Sequence, residues 1–241
     1  MLRLIIIAIV IFIFAVPLGL PAMLFFWLLG LVSPTAQADG ALAYLRTLMA
    51  LIIFFSGVRL TVYGKENIPK KGACLFVANH RSFYDIFIQY QFIRRTCGTV
   101  SKIEWGRIPI LRTYMKFIHC VFLDRKSLRA GVEVNRQMEE ELRAGHAFMI
   151  YPEGTRGHLN GLLPFHEGSF KSAFATGSPV VPVTFVHTDD IFENHIPFVR
   201  PTNVTVVFGT PVSTSGLSRA EHKELSRKIH DQMEKTYLQY V

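Results

Sequence analysis

At 241 residues the chain has room for one domain of ordinary size and a modest appendage, which excludes a large multidomain assembly. Half of the residues are hydrophobic and 18% are charged, so disorder is excluded and some apolar surface is meant for something other than water. The 26 Lys and Arg against 18 Asp and Glu leave a net charge of +8, which suits anionic lipid or a phosphorylated substrate at least as well as nucleic acid.

The chain opens on a run, residues 4–33, that carries no charge. At about 1.5 Å per helical residue it could cross a hydrocarbon core of about 30 Å with length to spare, and it reads as a membrane segment. Pro17 and Pro21 each remove a backbone donor, so a kink or a shallow hairpin is expected there. A second apolar stretch, residues 42–57, carries Arg46 off-centre and can pair with the first or lie in the interface. A cleaved signal sequence is the competing reading, since Arg3 precedes the run and Ala36-Gln37-Ala38 resembles a cleavage site. The run is about twice a signal core of roughly 7 to 15 residues, which favours an anchor. The chain is therefore divided into a membrane-anchoring helical segment, 1–57, and an α/β domain, 58–241.

After Arg59 short β-rich runs alternate with amphipathic stretches, the pattern of a mostly parallel central sheet flanked by helices. Strands are predicted at 58–63, 73–78, 96–101, 120–123, 147–151, 180–187 and 204–208. Helices are predicted at 83–94, 108–117, Leu128–Arg143, 168–175 and 218–237. The last carries Leu225, Ile229, Met233 and Tyr237 at four-residue intervals, one narrow stripe to pack on the sheet. Cys74, Cys97 and Cys120 are widely spaced in apolar stretches, so neither a disulfide framework nor a metal site is expected, and a reducing compartment fits them. The nine histidines are scattered, without metal-ligand spacing.

In such sheets chemistry collects beyond the carboxyl ends of strands, and three polar clusters fall at such places. The first is Asn79-His80-Arg81-Ser82-Phe83-Tyr84-Asp85. Inside one helix His80 and Asp85 would point about 140° apart. They can meet if His80 lies in the loop and Ser82 caps the helix, which leaves one imidazole nitrogen fixed by the carboxylate and the other free as a base. A mere capping box from Ser82 to Asp85 is the plainer alternative. The second is Tyr151-Pro152-Glu153-Gly154-Thr155-Arg156, where a glycine turn bares backbone N–H groups and Arg156 offers a planar fork, together a phosphate cradle. Glu153 could orient Arg156 or accept from a substrate hydroxyl, and a plain Glu153–Arg156 surface pair is the alternative. The third, Phe122-Leu123-Asp124-Arg125, says little alone, as do Lys102 and Glu104. The glycine turn does not match a nucleotide-binding P-loop.

In this order, Asn-His-x-Ser-x-x-Asp, Phe-Leu-Asp-Arg, Pro-Glu-Gly-Thr-Arg and Val181-Pro182-Val183 resemble the four blocks of the glycerolipid acyltransferase family. The likeness runs from about Asn79 to Val183 and is expected to extend over the whole α/β domain. It implies a membrane-associated O-acyltransferase acting on the cytoplasmic face, with lysophosphatidic acid as acceptor, acyl-CoA or acyl carrier protein as donor, phosphatidic acid as product, and no cofactor or nucleic-acid partner. His80, held by Asp85, would take the proton of the acceptor hydroxyl for direct attack on the thioester. Asn79 and Ser82 would support that pair. Arg156, Arg125, Lys102, Glu153, Gly154 and Thr155 would serve the phosphate, and Val181, Pro182 and Val183 would line the acyl-chain side, with an ordinary buried strand as the equally good alternative for these three. Another lysolipid acceptor, or a lipid-binding protein without turnover, remains open on the sequence. Arg112 and His119 stand where the family often has glycine, and Gly157 where it often has serine.

Overall fold

Unbroken apolar runs build the centre of the sheet, and alternating ones build one side of it. In a computed structural model, which describes residues 1–124, 126–157 and 161–241, seven strands form one sheet: β1 (Arg59–Tyr63), β2 (Cys74–Ala78), β3 (Cys97–Lys102), β4 (Val121–Leu123), β5 (Ala147–Ile150), β6 (Val180–Val186) and β7 (Asn203–Phe208). Their spatial order is β1-β7-β6-β2-β5-β3-β4, and every neighbouring pair is parallel except the antiparallel β6 and β7. The central β2 is buried on both faces, as its unbroken apolar sequence requires. Successive side chains of a strand point to opposite faces, so Cys74, Phe76 and Ala78 enter one core while Leu75 and Val77 enter the other.

Helices cover both faces. The first core takes side chains from α3 (Pro34–Ser56), α4 (Tyr84–Phe92) and α5 (Pro109–Phe117), among them Ile52, Ile88 and Tyr114. The second takes Met138 from α6 (Leu128–Arg143), Ala173 from α7 (Lys171–Thr176), and Ile229 and Met233 from α8 (Arg219–Tyr240). The predicted α8 stripe is thus the packed face, and Ser218 opens that helix with a reciprocal capping box to Glu221. The helix predicted over 168–175 is split into a 3-10 turn, Glu167–Phe170, followed by α7. The one predicted over 83–94 is shorter at both ends as α4.

The N-terminal apolar run forms α1 (Leu2–Ala15) and α2 (Gly19–Val32), which bend by 40° at the break containing Pro17. Pro21 causes no second break, because it falls in the first turn of α2, where a backbone N–H has no intrahelical acceptor anyway. Ser33 then caps α3 by accepting from the Ala36 N–H, with Pro34 in the first helical position, and Gly57 ends the helix at φ 74°. By length and composition α3 could cross a membrane, and the bent α1–α2 pair passes the same test taken together. These helices are joined to the sheet layer by more than chain continuity. The Tyr84 and Ser56 hydroxyls meet at 2.6 Å in the interior, Tyr114 donates to the Gly19 carbonyl at 2.7 Å, and the Tyr44 and Tyr114 rings stack. Leu2, Phe12, Phe25, Leu31 and Val32 leave large apolar faces of α1 and α2 exposed.

Candidate active site

The site begins where β2 ends. Asn79 is buried and extends the β2–β6 pairing with its side chain, donating to the Phe185 carbonyl at 2.9 Å and accepting from the Phe185 N–H at 2.7 Å. The backbone beyond it is freed from the ladder and turns over the sheet edge. Asp85, in the first turn of α4, points back into that loop and is wholly buried. Its Oδ2 accepts from the Ser82 N–H, the Arg81 N–H and His80 Nδ1, each at 2.8 Å. The capping contact and the histidine contact therefore coexist on one oxygen. Ser82 meets the helix start differently from a simple N-cap, since Phe83 occupies that position while the Ser82 hydroxyl accepts from the Tyr84 N–H at 3.0 Å.

His80 is fixed on several sides. Its N–H donates to Glu153 Oε1 at 2.7 Å, its carbonyl accepts from the Gly157 N–H at 2.8 Å, and its ring lies 4.4 Å from the Tyr151 ring, centroid to centroid. With Nδ1 turned to the buried Asp85, Nε2 is the nitrogen left on the side of the cleft that His80 lines. Tyr151 is itself anchored through its hydroxyl, which donates to Gln89 Oε1 at 2.7 Å.

That cleft has a volume of about 1300 Å³. His80, Lys102, Gly154, Thr155 and Arg156 share it, so the sequence-predicted base and much of the predicted phosphate cradle come together. Arg156 lies with its guanidinium carbon 4.2 Å from the centre of the Phe83 ring, and Nη1 is 3.1 Å from Glu193 Oε1. Lys102 is paired with Glu104 at 3.1 Å, both half exposed, and so remains accessible to an anion. Gly154 holds φ 67°, the left-handed region that a side chain disfavours, and a Cβ there would press on the His166 ring at 3.1 Å.

Two expectations are corrected. Glu153 neither orients Arg156 nor faces the cleft: it is buried, and its two oxygens accept from the His80 N–H and the Leu163 N–H. Burial pushes its carboxyl above the usual range, against the pull of those two donors. Its place is to tie the glycine turn to the histidine loop. Val181, Pro182 and Val183 are likewise buried within β6, with Val181 and Val183 in the core on the α3–α4 face. The apolar wall of the cleft comes instead from Val100, Leu123, Val134, Met138 and Ile150. Arg112 is exposed and outside the cleft lining. Arg125 lies outside the described residues.

Residues 59–186, more than half of the chain, match the acyltransferase family. The chain belongs to that family. A probable 1-acyl-sn-glycerol-3-phosphate acyltransferase of Mycoplasma pneumoniae is 30% identical over 204 residues, covering 80% of this chain and 76% of the relative. The 1-acyl-sn-glycerol-3-phosphate acyltransferase of Borreliella burgdorferi is 28% identical over 79% of this chain and 76% of its own. The crystal structure of the 1-acyl-sn-glycerophosphate (LPA) acyltransferase PlsC from Thermotoga maritima superimposes with a TM-score of 0.85 at 26% identity, covering 99% of this chain and 95% of that one.

Two acidic residues of this acyltransferase escaped sequence reasoning. Glu193, in a 3-10 turn after β6, places a buried carboxylate under the histidine loop, where it accepts from the Ser82 hydroxyl at 2.6 Å, the Phe83 N–H at 2.9 Å and Arg156. Asp189 accepts from Arg81 Nη2 at 2.9 Å and Nε at 3.2 Å, in a buried pair that also brings the guanidinium over the Tyr237 ring of α8. Both follow the carboxyl end of a strand, the position rule that picked out the other clusters, and that rule was the available signal.

Proposed function

We propose that this acyltransferase transfers an acyl group from acyl-CoA or acyl carrier protein to the free hydroxyl of 1-acylglycerol-3-phosphate, forming phosphatidic acid. The observation that carries this reading is the 2.8 Å contact of His80 Nδ1 with Asp85 at the cleft, alongside the Arg156 guanidinium. The names of the relatives agree with it.

On this reading His80 donates its Nδ1–H to the Asp85 carboxylate and receives the acceptor hydroxyl proton at Nε2 as the oxygen attacks the thioester carbonyl. The tetrahedral intermediate collapses by breaking the carbon–sulfur bond, and the proton held at Nε2 passes to the departing thiolate. The histidine returns to its starting state and no acyl-enzyme forms. Asp85 supplies orientation and a fixed negative charge beside the transient imidazolium. Arg156 and Lys102, with the backbone around Gly154 and Thr155, receive the phosphate, while the apolar wall from Val134, Met138 and Ile150 takes an acyl chain. Such a direct transfer requires no group beyond its two substrates. The acceptor and the product are both bilayer lipids, so the exposed apolar faces of α1 and α2 are read as its membrane contact, and a thioester donor puts the cleft on the cytoplasmic face.

The test is transfer by purified full-length enzyme from defined thioesters to a panel of lysolipids. The reading expects 1-acylglycerol-3-phosphate to be preferred strongly, and His80→Ala to lose roughly a thousandfold in rate while still binding substrate. Comparable rates on acceptors without a phosphomonoester would remove the assigned acceptor. Unaltered transfer by His80→Ala would remove the base, and no transfer by the native chain would leave a lipid-binding protein.

A further inference from the structure

At the opposite edge of the sheet the fold assembles a second polar cluster that acyl transfer does not use. The cleft lies at the carboxyl ends of the parallel strands, lined by Lys102, Leu123, Ile150 and Tyr151. His119 stands two residues before β4 and His146 one residue before β5, so both sit at the amino edge. Glu141, in the last turn of α6, reaches the same point. Its Oε2 is 2.8 Å from His119 Nδ1 and 2.7 Å from His146 Nδ1, and the two imidazole rings are 4.6 Å apart. Among the described residues this is the one group of three His, Cys, Asp or Glu side chains whose ligand atoms all fall within 4.8 Å of one another. Sequence spacing pointed away from a metal because these ligands come from a turn before one strand and, 22 and 27 positions later, from a helix end and the turn that follows it (119, 141 and 146).

The backbone also makes an exception here. His119 holds φ 62°, a region that disfavours a side chain, and its carbonyl lies so close to β3 that a Cβ at Gly98 would come within 2.3 Å of it. The histidine ring is thus carried on a rigidly clamped peptide. All three side chains remain accessible, with 26% of His119, 26% of Glu141 and 37% of His146 exposed.

We propose that His119, Glu141 and His146 form a binding site for one zinc ion. Two imidazole nitrogens and a carboxylate oxygen are ligands that zinc prefers, and water completes a tetrahedron. With bonds of about 2.0–2.1 Å, tetrahedral ligands stand roughly 3.3 Å apart, so binding opens the present contacts by about half an ångström. The balance is simple: each neutral imidazole moves its Nδ1 proton to Nε2, the carboxylate is already ionised, and two nitrogen lone pairs and one oxygen lone pair bind the ion. Its role is mechanical. The ion would join the end of α6 to the turns before β4 and β5, and the earlier part of α6 supplies Val134, Asn135 and Met138 to the cleft wall.

The experiment uses full-length enzyme in detergent, with any affinity tag removed and metals stripped by chelator. Titration with Zn²⁺ should give one tight site per chain and raise the melting temperature, with no matching response to Mg²⁺ or Ca²⁺. His146→Gln and Glu141→Gln should each weaken that site at least tenfold while acyl transfer stays within twofold of native. Independently of any variant, Zn²⁺ should protect His119 and His146 of the native chain from diethyl pyrocarbonate, read by mass spectrometry. Absence of a stoichiometric site, equal affinity in both variants, or unprotected histidines in the presence of Zn²⁺ would each overturn the proposal.

Discussion

Glu193 Oε1 accepts from Arg156 Nη1 at 3.1 Å and from the Phe83 N–H at 2.9 Å, so a single buried carboxylate oxygen sets both the guanidinium and the ring on which it lies. Arg156, which lines the cleft, is therefore held by a carboxylate and by an aromatic face. A charge-assisted hydrogen bond contributes about 1.5–3 kcal/mol, so Glu193→Gln should raise the acceptor KM roughly 10- to 100-fold. The KM for thioester should stay within about threefold. Steady-state kinetics in mixed micelles checks this, and an unchanged acceptor KM would separate Glu193 from phosphate binding.

Asp85 concentrates three donors on Oδ2 while its Oδ1 is buried with no partner among the described residues. Asp85→Asn preserves volume and one acceptor but removes the charge that faces the imidazole. We expect kcat to fall by about 10²- to 10⁴-fold with little change in either KM, the pattern of a group that acts at the transition state. A fall in KM-dependent binding alone, with kcat retained, would contradict the orienting role.

Arg156→Lys keeps a positive charge and loses both the planar fork and the flat contact with Phe83. The acceptor KM should rise about tenfold, and more steeply for phosphomonoester acceptors than for others. Affinity measured for an acceptor lacking the phosphate should hardly move, which distinguishes lost recognition from a disturbed fold.

The three cysteines are free and buried, and burial pushes the Cys74 and Cys120 thiols up to about 11 and Cys97 well above the usual thiol range. Thiolate is the reactive form, so at pH 8 about one thiol in a thousand at Cys74 or Cys120 is ionised. Native enzyme should resist iodoacetamide at that pH and label at all three positions once denatured. Rapid labelling of any of them in the folded state would show that the first core opens readily.

Much of this architecture can be read from local chemistry. The strands were predictable because each is a short apolar run between turn residues, and α6 kept its predicted bounds because Ser127 caps it and Val134, Met138 and Leu142 recur along its buried face. His80 and Asp85 were within reach of reasoning since they lie five positions apart across one loop-to-helix junction. The position rule for strand ends marks the neighbourhood of Glu193 but not its partners, because its contacts with Ser82 and Arg156 join segments separated by 111 and 37 positions, and no periodicity encodes such a meeting. Glu153 was misjudged for a related reason. A carboxylate beside an arginine in sequence suggests a pair, yet the turn directs it inward to two backbone donors that only the folded loop provides.

The hydroxyl contact between Ser56 and Tyr84 joins the last turn of α3 to the first turn of α4, one residue before Asp85. Ile7, Phe26 and Leu42 belong to the same continuous core as Phe76 and Ile88. The N-terminal helices are thus no flexible leash. Whatever surface receives the bare faces of α1 and α2 receives the reaction centre at a set height and tilt, so substrates must travel to a stationary opening.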